Sequence, residues 1–134
     1  MKKIVIFSMF LCSIFALSAQ NNAKKSTSRY SGTGPEIQFE QLSVNFGTLK
    51  VGEEKTVTIT FKNIGKKPLI LDDVISSCDC TTVDWSKQPI MPGKTGTIKA
   101  HYDAKYTGVI SKRLTVLSNA HTDRVILQLK GEVK

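Results

Sequence analysis

Two cysteines one residue apart, Cys78 and Cys80 in the stretch SSCDCTTVDW, are the residues whose type and spacing can do chemistry. Thiols so placed have four uses. They can play a structural role, as a local disulfide or as thiols packed against the chain's single tryptophan, Trp85. They can exchange with a partner thiol, hold a linear Cu(I) ion through two thiolates, or supply a catalytic nucleophile. The usual employment of cysteine in exported domains puts the structural role first. On an extended strand the two Cα atoms sit about 6.6 Å apart, near the top of the range a disulfide accepts, roughly 4.4 to 6.8 Å. A bridge is therefore strained on a flat strand and easier where the chain bends. The pair is carried forward as a candidate disulfide or redox pair.

A metal or a nucleophile needs helpers, and the chain offers few. His101 and His121 show no ligand spacing to each other. His101 and Asp103 share one face of an alternating run, opposite Ile98, Ala100 and Tyr102, which makes them solvated side chains. His121 lies in the turn-forming stretch NAHTD. Asp72 and Asp73 are adjacent, so on a strand they face opposite ways and do not form an acid–base pair. There is no phosphate loop, no paired CxxC and no Gly-x-Ser-x-Gly elbow. No catalytic, cofactor or metal residue is assigned.

The ends set the compartment. Met1-Lys2-Lys3 is a positive start, residues 4–17 form an almost uninterrupted apolar run, and Ser18-Ala19-Gln20 closes it. This reads as a secretory signal peptide over residues 1–19, too short before Asn21-Asn22 for a retained span of roughly 17 to 25 apolar residues. Removing it takes Lys2 and Lys3 and no acid, so 19 bases against 11 acids become 17 against 11, and the net charge falls from +8 to +6. Cys12 leaves too, which makes the cysteine count even in a compartment where disulfides persist. The remaining bases, Lys24, Lys25 and Arg29 in the linker and the rest from Lys50 to Lys134, are scattered without interleaved aromatics, which speaks for a solubilising surface and against nucleic acid.

Residues 20–35 are rich in Asn, Ser, Thr and Lys and read as a flexible polar linker. From residue 36 the texture changes to short alternating runs. Val57, Ile59 and Phe61 alternate with three threonines, and the pattern recurs at Ile98, Ala100, Tyr102, at Leu114, Val116, and at Val125, Leu127, Leu129. Ile37, Phe39, Val44 and Phe46 supply shorter pieces. A period of two marks strands with one buried face. Turn signals such as Asn63-Ile64-Gly65, Met91-Pro92-Gly93 and Tyr106-Thr107-Gly108 separate the runs. In residues 69–75 apolar side chains fall on both parities, which calls for a bulge near Asp72-Asp73. No helical period appears. About seven strands without crossover helices predict an all-β, antiparallel immunoglobulin-like β-sandwich over residues 36–134, ahead of a small barrel. The expected core is Val57, Ile59, Phe61, Ile98, Val116, Leu127 and Leu129, with Trp85 also inside.

The ordered set FGTLKVGE, TVTITFKNIGKKPL, SSCDCT, IMPGKTGTI, a TG turn, LTVLSN and a closing LKG resembles a family of bacterial secreted immunoglobulin-like domains. That family is a domain of unknown function with a Cys-x-Cys element, related to the ASH and major sperm protein group. The resemblance covers about residues 36–133. It implies a β-sandwich used as an envelope binding or structural module, with no established reaction. Asp79 departs from the small residues common there, which bears on the surroundings of the thiols.

The expectation is a non-enzymatic exported module, periplasmic or extracellular, that binds another envelope or secreted protein through a sheet edge. Its rival is a soft-metal (copper) or thiol-redox protein using Cys78 and Cys80. No nucleic-acid partner and no membrane span after signal cleavage are expected, and the chain should be monomeric or weakly self-associating. Cleavage after Ala19 should release a chain beginning at Gln20, which the intact mass of exported protein checks; retention of residues 1–19, or a lipid on Cys12, would contradict it.

Overall fold

Burying one face of each alternating run requires two such faces to meet, and the chain does this with two sheets. The computed structural model describes residues 30–134. The expected signal peptide and residues 20–29 of the linker lie outside the described residues. Eight strands follow in order: β1 (Ile37–Phe39), β2 (Ser43–Leu49), β3 (Glu54–Asn63), β4 (Leu71–Ser76), β5 (Thr81–Trp85), β6 (Thr95–Asp103), β7 (Gly108–Ser118) and β8 (Arg124–Val133). One sheet has the order β1-β3-β6-β5 and the other β2-β8-β7-β4.

This is the predicted sandwich with two corrections. The strand missing from the sequence pattern is β5, five residues at a sheet edge whose apolar members, Val83 and Trp85, are too few and too exposed to stand out. The sheets are also not wholly antiparallel. The first strand of the sandwich is broken in two: β1 pairs antiparallel with β3, and β2 crosses to the other sheet and runs parallel to β8. The bulge falls where expected, since the β4–β7 register shifts between Leu71 and Asp73. Leu71 and Val74, three apart, can therefore both face inward.

The core lies between the sheets. Phe46, Phe61, Ile98, Leu114, Val116, Leu127 and Leu129 are fully buried, each worth roughly 1.5 to 3 kcal/mol in transfer from water. Ile59 is buried as expected, and Val57 is half-buried at the rim. Phe61 pairs across the sheet with Gly96, where a Cβ would stand 2.5 Å from the ring. The missing side chain lets the ring lie over the strand and reach Phe39, with centroids 5.7 Å apart.

The other tie is polar. Asn63, at the end of β3, is fully buried. Its Oδ1 accepts the Gly65 N–H at 2.9 Å and the Glu36 N–H at 3.5 Å, while Nδ2 donates to the carbonyls of Lys67 and Ile90, both at 2.8 Å. Its backbone bonds the 91–94 turn, donating to Lys94 O at 2.9 Å and accepting from Gly93 N at 2.8 Å. Of the segment expected to be flexible, residues 30–35 are packed. Lys66 N–H donates to Gly34 O, His121 N–H to Pro35 O, and the Tyr30 ring lies 5.7 Å from that of His121. Asn63→Ala should leave these buried partners unpaired and destabilise the domain by about 3 kcal/mol or more. Urea denaturation measures this, and a loss below about 1 kcal/mol would show that the knot is dispensable.

Candidate functional site

The turn from β4 to β5 carries the cysteines. Ser76 Oγ donates to Cys78 O at 3.0 Å and accepts the Cys78 N–H at 3.3 Å. Ser77 N–H donates to Arg113 O at 2.9 Å, and Arg113 N–H returns a bond to Ser77 Oγ at 3.0 Å. Thr81 N–H reaches Cys78 O at 3.3 Å, and Asp103 N–H reaches Cys80 O at 3.1 Å. The chain is thus bent, not extended. It brings the two Cα atoms to 5.4 Å, and Cys78 and Cys80 are joined as a disulfide. In that state neither sulfur is a thiolate available to a soft metal.

The two sulfurs have different surroundings. Cys78 Sγ accepts the Cys80 backbone N–H at 3.2 Å and lies 3.9 Å from the Thr81 hydroxyl. Cys80 packs against the core and opens onto a groove of about 210 Å³. Along that groove lie Tyr102, Lys105, Tyr106, Val109 and Lys112. Tyr106 and Val109 are each 81% exposed. Sequence reasoning missed these neighbours, although two large apolar residues flanking a Gly turn, Tyr106 before it and Val109 at the start of β7, were a usable signal.

Of the remaining sequence candidates only Asp103 lies beside the cysteines, through its backbone bond to Cys80 and on the wall of the same groove. His101 Nδ1 is 2.8 Å from Thr56 Oγ1 across the sheet, and its Nε2 is 3.5 Å from Glu54. Asp103 pairs with Lys105 at 3.3 Å. Asp72 is exposed at the bulge, and Asp73 accepts its neighbour's N–H, from Val74 at 2.8 Å. His121 stays in its turn beside Tyr30. Trp85 is a partial correction: it is half-buried on edge strand β5, one face against the core and Lys87 Nζ 2.9 Å from the ring centroid on the other. Its Nε1 is buried without a hydrogen-bond partner among the described residues. No group of three or more His, Cys, Asp or Glu side chains able to hold a metal occurs among the described residues.

A second groove, of about 270 Å³, lies at the other end of β8, where the first strand changes sheets. It runs between β1 and the start of β8, with Leu42 and Ile126 on its wall. Because β2 meets β8 only from Gln128 onward, residues 124–127 have no strand on that side. The Gln128 N–H bond to Leu42 O places even-numbered residues of β8 toward this side, so Arg124 and Ile126 point their backbone groups into the groove. On β1, Glu36 O and Glu40 N bond β3, so Ile37 and Phe39 turn theirs outward, where the Glu36 carboxylate takes the Ile37 N–H at 3.0 Å and the Thr122 N–H at 3.3 Å. Ile126 is 47% exposed on the parity expected to be polar, and that mismatch was the legible hint.

Two packed sheets that share a split first strand, with no helix among the described residues, define an immunoglobulin-like β-sandwich. The chain belongs to the family described as protein of unknown function (DUF1573), which matches residues 37–133. No curated protein matches it in sequence. Among solved structures it is similar to a protein of unknown function from Porphyromonas gingivalis W83, with a TM-score of 0.67 and 19% identity over 77% of this chain. It spans 49% of that protein, about half its length. It is also similar to the ASH / PapD-like domain 7 of human CEP192, with a TM-score of 0.64 and 11% identity, over 82% of this chain and 92% of that domain. The secreted serine protease VesC from Vibrio cholerae shares the fold over 75% of this chain and 23% of its own, with a TM-score of 0.54 and 15% identity. At these identities the likeness is one of fold alone.

None of the bonds that shape the cysteine turn passes through sulfur–sulfur bonding, and a loop of three residues gains roughly 1.5 kcal/mol of chain entropy at most. Reduction should therefore leave the sandwich folded and lower the melting temperature by less than about 10 °C. Thermal melts with and without reductant check this; unfolding on reduction would make the bridge a structural staple.

Proposed function

We propose that this chain is a non-catalytic binding module, exported to the periplasm or beyond, that takes an extended segment of another exported protein as an added strand. The observation that carries the reading is the groove between β1 and the start of β8. Two sheet edges face it with outward backbone groups at Phe39, Arg124 and Ile126 and the carbonyl of Ile37, whose N–H is held by Glu36, and apolar side chains line it at Leu42 and Ile126. Backbone groups of this kind supply affinity to any extended chain, and the alternating side chains of the guest supply specificity. The guest favoured here places an apolar side chain against Leu42 and Ile126 and an acidic one beside Arg124. Its length need only be about four residues, some 13 Å, to span the bare part of β8.

The non-enzymatic part of the reading rests on dispersal. His101, His121, Asp72, Asp73 and the cysteine turn occupy separate strands and turns with local partners of their own, and catalysis by acid, base or nucleophile needs such groups within hydrogen-bond reach of one another. Export rests on the apolar leader and the even cysteine pair.

A photo-crosslinking side chain at position 42 should capture one exported protein in exporting cells. Ile126→Pro removes an outward N–H together with an apolar side chain of the groove wall and should abolish capture while costing the fold no more than about 1 kcal/mol. Val125→Pro, whose N–H faces β7, should cost several times more. Capture that survives Ile126→Pro, or capture only of a second copy of this chain, would overturn the reading.

A further inference from the structure

We propose that the Cys78–Cys80 disulfide is an exchange site for a protein thiol carried on an acidic segment, which seats in the groove beside Cys80. This site is at the opposite end of β8 from the strand-accepting groove and stands independently of it. Three observations converge on it. The first is position: Cys80 forms part of the wall of the 210 Å³ groove, so an incoming sulfur that enters the groove meets Cys80.

The second is the difference between the sulfurs. A leaving sulfur departs more readily when its thiolate is stabilised by donors. Cys78 Sγ has the Cys80 N–H at 3.2 Å and the Thr81 hydroxyl at 3.9 Å, so it is the leaving group and Cys80 is the sulfur attacked. The turn that holds both is fixed by the Ser76, Ser77, Arg113 and Asp103 bonds, which remain when the sulfurs part. The freed Cys78 thiolate therefore stays poised beside Cys80.

The third observation is the rim. Tyr106 and Val109 are the most exposed large hydrophobic residues described, both at 81%, and they flank the same groove. Two apolar side chains left in water beside a disulfide offer a guest polypeptide contact area, and a lone small thiol would make little use of them. Lys112 and Lys105 add positive charge at the groove; Asp103 pairs with Lys105 at 3.3 Å and the exposed Asp79 stands between the cysteines, so Lys112 is the cation on which a preference for acidic guests rests. Positive potential raises the local thiolate fraction of the guest and favours acidic flanking residues.

The exchange balances without an outside reagent. The guest thiolate, its proton released to water, attacks Cys80 Sγ; a guest–Cys80 sulfur–sulfur bond forms, the Cys78–Cys80 bond breaks, and its electron pair leaves on Cys78, which takes up a proton. A second guest thiol, losing its own proton, then attacks the guest sulfur of the mixed disulfide and expels Cys80 as thiolate, which is protonated in turn. The guest dithiol is oxidised to a disulfide, and the chain's disulfide is reduced to two thiols.

The test uses the oxidised full exported chain and three probes: a short peptide with one cysteine flanked by glutamates, the same peptide with lysines in their place, and glutathione. After acid quench, alkylation of the freed thiol and peptide mapping by mass spectrometry should find the adduct on Cys80 and the alkyl group on Cys78. At low ionic strength the glutamate peptide should react about tenfold faster than the lysine peptide, a preference that shrinks in high salt. Lys112→Glu should erase the preference. Tyr106→Ser with Val109→Ser should slow the peptide several-fold and leave glutathione unchanged. No adduct, an adduct on Cys78, or a preference indifferent to Lys112→Glu would overturn the proposal.

Discussion

The hydrogen bonds of one buried amide hold the sandwich's connections together. A buried polar group is tolerable only when satisfied, and Asn63 spends its side-chain oxygen and nitrogen on four backbone groups from three separate segments: Glu36 before β1, Gly65 and Lys67 in the turn after β3, and Ile90 before β6. Because those segments come from both ends of the domain's first half, none of them can move without breaking the others. Gly65 belongs to the same knot. A Cβ there would collide with the backbone of Gly34 and Glu36, so the bare glycine is what lets residues 34–36 lie close enough to be bonded. Phe61 and Gly96 sit two residues further along the β3–β6 ladder, and the apolar core begins where the polar knot ends.

Once Asn63 fixes the approach to β1, the path of the first strand follows. β1 is only three residues long and cannot cover both sheets, so the chain crosses at residues 40–42 and continues as β2 beside β8. The crossing leaves a strip of each sheet bare. A sheet edge that stays unpaired invites other chains and is usually blunted by charge, brevity or cover. Here β2 covers the C-terminal part of β8, and Arg124 is the charge at the bare end. Splitting one strand between two sheets thus leaves, as a geometric consequence, two short lengths of sheet edge facing one groove.

Most of the fold was legible because alternation is a direct record of which face is buried. Val57-Thr58-Ile59-Thr60-Phe61 reads the same in the sequence and in β3, and the parity break in residues 69–75 called for a bulge near Asp72-Asp73 that the β4–β7 pairing places between Leu71 and Asp73. The strand that escaped, β5, has only Val83 and Trp85 to show, because an edge strand buries little. The sites were less legible for a different reason. Leu42 with Ile126, and Cys80 with Tyr106 and Val109, are brought together by pairing between distant segments, which no local pattern records. What the sequence does hold is their misfit: Ile126 is apolar on the solvent parity, and Tyr106 and Val109 are apolar around a Gly turn. Such residues contradict the local rule without serving the core, and they mark both grooves.

The cysteine turn gives that argument its sharpest form. Its shape comes from serine hydroxyls, the Arg113 backbone and the Asp103 N–H, all of which act whether or not the sulfurs are bonded. Closing a loop of three residues stabilises a chain by roughly 1.5 kcal/mol at most, against the 2 to 4 kcal/mol usual for a disulfide that spans a longer stretch. The surrounding core, with Leu114, Val116 and Leu127 fully buried in the sheet that holds β4, supplies several times that amount. Stability therefore gives little reason for two cysteines at this turn, while a fixed backbone, one sulfur with donors and the other on a groove wall are the conditions under which a disulfide exchanges without disturbing the fold that carries it.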